Sequence, residues 1–130
     1  MRLYPLMLSL EDRNALVIGG GSVAARKVSD LVERGARVTV IAPDVDSSII
    51  ELQVQHPGRI EIVHREYARG DLKGAFIVFS ATNDSSVNER VFAEAGEHNV
   101  LLNAVEDPDH CGFFVPSWFS RGGLVVAVST

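Results

Sequence analysis

The chain has 130 residues, a formal net charge of −5 and 46% hydrophobic residues, which bounds it to a single globular domain with enough apolar content for a core. The acidic balance argues against a general nucleic-acid binder, whose contact face is basic. The lone cysteine, Cys111, excludes an internal disulfide and has no zinc-site spacing around it, and the opening MRLYPLMLSLEDR is neither long enough for a membrane span nor ended by a signal-peptide cleavage site. A cytoplasmic protein with no membrane contact is expected.

NALVI (14–18) reads as a short apolar strand that stops at three glycines. From Ser22 to Glu33, Val23, Ala24, Val28, Leu31 and Val32 recur at helical spacing, and Gly35 closes that helix. RVTVIA (37–42) is a second strand, rich in β-branched residues. Pro43-Asp44 turns the chain into a helix over 45–55, and RIEIVHR (59–65) alternates as a third strand. AFIVFSAT (75–82) is a fourth, Asn83-Asp84 opens a helix running to about Gly96, and NVLLNAV (99–105) is a fifth.

This β-α-β-α-β-β-α-β order predicts an α/β fold, a Rossmann-like doubly wound parallel sheet with helices on both faces. GFFVPSWF (112–119) and GLVVAVST (123–130) are two further extended runs, expected as a hairpin or a pair of strands appended to that sheet. Because the last run ends in an apolar strand without a capping segment, more protein is expected beyond Thr130.

Gly19-x-Gly21-x-x-Ala24 follows a strand and opens a helix, the context of the dinucleotide fingerprint. There Gly19 permits a tight turn, Gly21 lets the backbone approach a pyrophosphate, and Ala24 lets helix and strand pack closely. The helix N-terminus then receives the phosphates. The plainer reading is a tight turn with no ligand. No Gly-Lys-Ser/Thr follows, so a P-loop is excluded. Asp44, beyond the second strand, can reach a ribose 2′-hydroxyl, and no arginine stands at that tip for a 2′-phosphate; this favours NAD over NADP.

Ligands of parallel sheets lie beyond the carboxyl ends of the strands. Two more loops fall there. Ser80–Asp84 either lines a cofactor or merely caps the next helix through Asp84. The segment after strand five carries Glu106, Asp107, Asp109 and His110, where a hydride-transfer enzyme would place a general base; a solvated acidic turn around Pro108 is the competing reading. His110 and Cys111 are adjacent and make a poor chelate, so no metal site is assigned. Trp118 with Phe113, Phe114 and Phe119 forms either an apolar wall for a planar ligand or ordinary core.

YPLMLSLEDRNALVIGGGSVAARKV, GARVTVIAPD, FSATNDSSVNERV and LLNAVEDPDHCGFFVPSWFSRGGLVVAVST, in that order, resemble the NAD-dependent precorrin-2 dehydrogenases of siroheme synthesis, including the N-terminal domain of siroheme synthase. The resemblance spans essentially the whole chain. It implies oxidation of precorrin-2 to sirohydrochlorin with NAD⁺ as hydride acceptor, and in some members insertion of Fe²⁺ into the product. It implies cofactor contacts at Ser22, Val23, Pro43 and Asp44, with Thr82 and the Asn103–Val105 segment as further ones. In that family an aspartate of an N-V-V-D segment is catalytic; the matching residue here is Glu106, one methylene longer, with Asp107 as the fallback. Arg121, Arg26 and Lys27 are candidate cations for the substrate carboxylates, and His110 a candidate substrate contact. The family pattern continues into helices that mediate homodimer formation, expected beyond residues 1–130. A non-catalytic module that binds NAD(H) and regulates a partner is the alternative, and a structural subunit whose glycines only turn the chain is a third reading.

Overall fold

The computed structural model describes residues 1–130. Five parallel strands form its centre: β1 (Asn14–Ile18), β2 (Arg37–Ile41), β3 (Ile60–Val63), β4 (Ile77–Ser80) and β5 (Leu101–Ala104). They lie in the order β3-β2-β1-β4-β5. Val17 of the middle strand therefore faces Val40 on one side and Phe79 on the other. Strands buried on both faces read as continuous apolar runs, and all but the first residue of NALVI are buried.

Alternation along each strand divides the core in two. Ala15, Val17, Val38, Val40, Ile77 and Phe79 pack beneath α1 (Ser22–Glu33) and α2 (Ser47–Gln55). Leu16, Ile18, Ile41, Val78 and Leu102 point the other way, toward α3 (Ser85–His98) and its Val91 and Ala95. Each fully buried aliphatic side chain contributes about 1.5–3 kcal/mol relative to exposure, so the sheet is the stable platform from which its loops project.

The helix ends follow from local chemistry. α1 stops where Gly35 takes φ +88°, the Gly35 N–H donating to the Val32 carbonyl at 3.1 Å and the Ala36 N–H to Leu31 at 3.1 Å, a pattern only a left-handed residue can close. α2 and α3 begin at Asp46 and Asp84, whose carboxylates accept from the N–H groups of Ser48 and Ser86 at 3.0 and 2.9 Å. Those serines donate both hydroxyl and backbone bonds and hold both aspartates below the usual carboxylate range. α3 runs two residues past Gly96, to His98, because Asn99 adopts the left-handed conformation and caps it, so β5 starts only at Leu101.

No helix joins β3 to β4. The connection is pinned instead by Glu94 of α3, which is 1% exposed. Its carboxylate accepts from the Tyr67 hydroxyl and from the N–H groups of Gly70 and Leu72, both at 3.0 Å. Burial, then the bond to Glu94, pushes the Tyr67 hydroxyl far above its ordinary pKa.

The C-terminal strands, β6 (Ser117–Arg121) and β7 (Leu124–Val128), pair antiparallel as expected, but they form their own two-stranded sheet and do not extend the parallel one. The extended run at 112–119 is also shorter than its sequence suggests. Pro116 has no N–H to give a ladder, and Phe113 tucks into the core edge-on to Phe79, ring centroids 5.6 Å apart. The hairpin meets the main body through Arg34, which donates to the Ser120 hydroxyl at 3.0 Å and covers the Trp118 ring at 4.5 Å. No helix is long and apolar enough to cross a membrane.

Candidate functional site

Strand order reverses between β1 and β4, and at their carboxyl ends a cleft of about 210 Å³ opens. One wall is the glycine loop and first turn of α1, Gly21 to Ala24; the second is Ala81-Thr82-Asn83 after β4; the third is Val105-Glu106 after β5.

The three glycines do three different things. Gly19 has φ +117°, and a Cβ there would lie 2.5 Å from the Ala81 carbonyl oxygen. Gly20 sits against the Asp44 carbonyl and the Ala42 side chain, and its own carbonyl accepts from the Asp46 N–H at 2.7 Å. These two are needed by the protein itself, to pass β4 and the tip of β2. Gly21 has ordinary extended angles, and a Cβ there would meet nothing within 4 Å. It borders open cleft.

Gly21 is also the N-cap of α1, and no side chain caps that helix; its first turn holds no acidic residue. The Asp46 and Asp84 carboxylates fill this place on the other two helices. An uncapped N-terminus with space in front of it fits an anion, since unpaired N–H groups and the helix dipole both favour negative charge. The residues present thus fit a dinucleotide pyrophosphate: Gly21, Ser22 and Val23 line the cleft at the uncapped end of α1.

Glu106 borders the same cleft. Its φ of +63° is unusual for a residue with a side chain and costs about 1–2 kcal/mol. The loop that imposes it is tight: Val105 donates to the Ser80 carbonyl at 2.9 Å, Asp107 to Ala104 at 3.0 Å, and the Cys111 thiol contacts the carbonyls of Ala104 and Asp107 at 3.2 and 3.3 Å. Burial pushes that thiol's pKa up. Asp107 takes the other direction. It does not line the cleft, and its carboxylate bonds His110 Nδ1 at 2.8 Å.

Of the other residues singled out by sequence, Ser22, Val23, Ala24, Thr82 and Val105 line the cleft with Gly21. Pro43 and Asp44 are exposed at the tip of β2 beside Gly20. Asn103 is buried on β5 and donates its amide to the Phe113 carbonyl at 2.9 Å, outside the cleft. Lys27 lies 5.2 Å over the Phe79 ring, Arg26 is exposed on α1, and Arg121 is on the exposed hairpin. The four aromatic residues make no common wall: Phe113 is half-buried against the core, Trp118 stacks on Arg34, and Phe114 and Phe119 are exposed. Asp84 makes the helix-capping contacts to Ser86.

Sequence reasoning passed over Gly20, Asn88 and Glu94. Gly20 is required by the approach of the β2 tip, and the two α3 residues are polar side chains whose burial depends on which turn faces the sheet. A larger depression of about 430 Å³ runs along the sheet over Leu16, Thr39, Ile41 and Val63. It touches neither the glycine loop nor Glu106, and its walls include Arg65 and Asp71, which are paired at 2.8 Å. The smaller cleft is the one with a ligand's chemistry.

Sheet order, uncapped glycine-loop helix and switch-point cleft together define a Rossmann-type nucleotide-binding domain. Residues 6–117 match the family model described as "Putative NAD(P)-binding", and the chain belongs to that family. It is 40% identical over its full length to a siroheme synthase of Methylobacillus flagellatus, and 42% identical to siroheme synthase 1 of Serratia proteamaculans. It covers 27% of each of those relatives, so it spans about a quarter of their length. Among solved structures it is similar to "SirC, precorrin-2 dehydrogenase", with a TM-score of 0.84 and 33% identity over 98% of this chain and 62% of that one.

Proposed function

We propose that this chain is the NAD⁺-binding, dehydrogenase part of a siroheme-synthesis protein, oxidising precorrin-2 to sirohydrochlorin. The observation that carries the reading is the meeting of Gly21 and Glu106 across one cleft. A seat for pyrophosphate and a carboxylate stand together where strand order reverses. Similarity to siroheme synthases and to a precorrin-2 dehydrogenase supports the substrate class.

NAD⁺, when bound, accepts a hydride from a ring carbon of the substrate. Glu106 is the group placed to take a proton from the macrocycle as the hydride leaves, so that both departures extend its conjugation. Its loop brings Glu106 to the border of the cleft with a left-handed backbone, a strain of the sort concentrated at functional sites. Gly21, Ser22 and Val23 hold the pyrophosphate, and Thr82 and Val105 flank the cofactor. Asp44 serves the adenosine ribose, and no arginine or lysine stands among residues 42–46 to prefer a 2′-phosphate, which supports NAD over NADP. The same reading includes Fe²⁺ as the substrate of a second, metal-inserting step, a homodimer, and a cytoplasmic setting.

The test is anaerobic mixing of precorrin-2 and NAD⁺ with this chain and with a longer protein containing it. The expected result is growth of the reduced-nicotinamide absorbance band that needs both reactants. NAD⁺ binding without that band in either protein would replace the enzyme with a cofactor-binding regulatory module.

A further inference from the structure

Asn88, near the start of α3, is 4% exposed. Its amide oxygen accepts from the Ser80 hydroxyl at 2.7 Å, and Ser80 is the fully buried last residue of β4. Its amide nitrogen faces two loops at once, the Thr82 carbonyl at 3.5 Å and Asp107 Oδ2 at 3.4 Å. Thr82 lines the second wall of the cleft, and Asp107 is bonded through the chain to Glu106 of the third. Asp107 Oδ2 in turn meets His110 Nδ1 at 2.8 Å, and the His110 ring packs edge-on to Phe92 of α3, centroids 5.0 Å apart. One buried side chain therefore stands between α3 and the loops that carry the second and third walls, and an Asp–His pair adjoins the loop that carries Glu106.

We propose that Asn88 and the Asp107–His110 pair are positioning residues: Asn88 sets the spacing of the Thr82 and Glu106 walls, and Asp107 with His110 holds Glu106 in its left-handed conformation. The proposal rests on the reading of Glu106 as the proton acceptor of the dehydrogenase. It assigns Asp107 a role other than that of the base itself. What Asp107 supplies is an acceptor oxygen at a fixed place, and an asparagine supplies that too; a base needs the carboxylate.

The experiment compares Asp107→Asn, Asp107→Ala and Asn88→Ala, with Asn88→Ser as the milder second variant if the alanine form does not fold. For each, kcat with precorrin-2, NAD⁺ affinity by calorimetry and the melting temperature are measured. Asp107→Ala is expected to lower kcat about 10- to 100-fold, the scale of a catalytic group displaced by about an ångström, with NAD⁺ affinity unchanged. Asp107→Asn is expected to keep most of the turnover. Asn88→Ala is expected to weaken NAD⁺ binding and lower kcat together, because it frees both walls. Asp107→Asn as inactive as Asp107→Ala would make Asp107 the base and overturn the assignment. Variants that melt lower yet, when folded, bind NAD⁺ and turn over like the unaltered chain would overturn it as well. If neither the unaltered chain nor the longer protein containing it makes NADH, it is the dehydrogenase reading that falls. The wall-setting role of Asn88 is then decided by NAD⁺ affinity: loss in Asn88→Ala but not in Asp107→Ala upholds it, and equal affinity in all variants ends it.

Discussion

Gly21→Ala separates a glycine kept for a ligand from one kept for the fold. At Gly21 the backbone lies at φ −85°, ψ −165°, open to any residue, and the added methyl meets nothing within 4 Å. Alanine is a poorer N-cap than glycine by up to about 1 kcal/mol. It also restricts the unfolded chain, which returns about 0.4–1 kcal/mol, so the two effects nearly cancel. Gly19→Ala is the control. There the methyl would stand 2.5 Å from the Ala81 carbonyl oxygen and 2.9 Å from its carbon at φ +117°. Overpacking against rigid backbone costs about 1–3 kcal/mol, and the strained angle roughly 1–2 kcal/mol more. In binding the order reverses. A methyl on Gly21 would narrow the cleft that Gly21 lines, and losing one charge-assisted hydrogen bond to phosphate costs about 1.5–3 kcal/mol, roughly 10- to 150-fold in Kd. Thermal melts and calorimetric titration with NAD⁺ read the two quantities separately. The expected result is a Gly21→Ala protein that melts like the unaltered chain and binds NAD⁺ poorly. If it binds NAD⁺ with undiminished affinity, the pyrophosphate does not lie against Gly21 and the cleft has been assigned wrongly.

Three further outcomes are expected. Glu106→Gln keeps NAD⁺ affinity and loses oxidation by about 10²–10⁴-fold in stopped-flow assays; undiminished turnover would remove Glu106 from the proton transfer. Glu94→Ala strips acceptors from Tyr67, Gly70 and Leu72 in a buried place and lowers stability by about 3 kcal/mol or more in urea unfolding; a loss under about 1 kcal/mol would mean that water reaches those groups. The bond from Arg65, at 2.8 Å, holds Asp71 below its ordinary pKa of 3.8. The unfolded chain therefore takes up the proton first as pH falls, and the pair's contribution is complete above about pH 4 and fades as pH drops through the lower folded value. The stability gap between the unaltered chain and Asp71→Asn should be flat from neutral pH to that point and narrow below it. A gap that instead widened on acidification would mean that Asp71 is not the group being protonated.

Much of this molecule was legible because its signals are local. Continuous apolar runs such as LVI and IVF, with helical spacing between them, fixed five strands, three helices and their alternation. The glycine spacing marked the loop that lines the cleft. What escaped depends on distant approach. Nothing near Gly20 announces the Asp44 carbonyl above it. Asn88 and Glu94 look like solvent-facing positions of a polar helix until the α3 turn that meets β4 and the 64–76 connection is known. The hairpin was legible as two strands, yet its separation from the main sheet was not, because pairing partners are chosen in space and LVVAV could ladder with either. At the site, the residues alone offered two adjacent carboxylates, and only the family resemblance put Glu106 first with Asp107 as the fallback. In the structure Glu106, at the left-handed position, borders the cleft, while the Asp107 carboxylate is bonded to His110.

The central place of β1 also bears on the order in which the site comes into being. Asn14 meets Arg37 across a short stretch of chain, whereas Ala15 reaches Ile77 only by closing a far longer loop, at an extra entropic cost of about 1 kcal/mol. The β1-α1-β2 unit is thus the cheaper nucleus, and docking of β4, α3 and β5 is the later event. Truncations of Val17 and Val40 should slow refolding, while those of Val78 and Leu102 should mainly hasten unfolding. The phosphate seat would then exist as a half-site, its glycines already turned, before the wall bearing Glu106 arrives to give it anything to do.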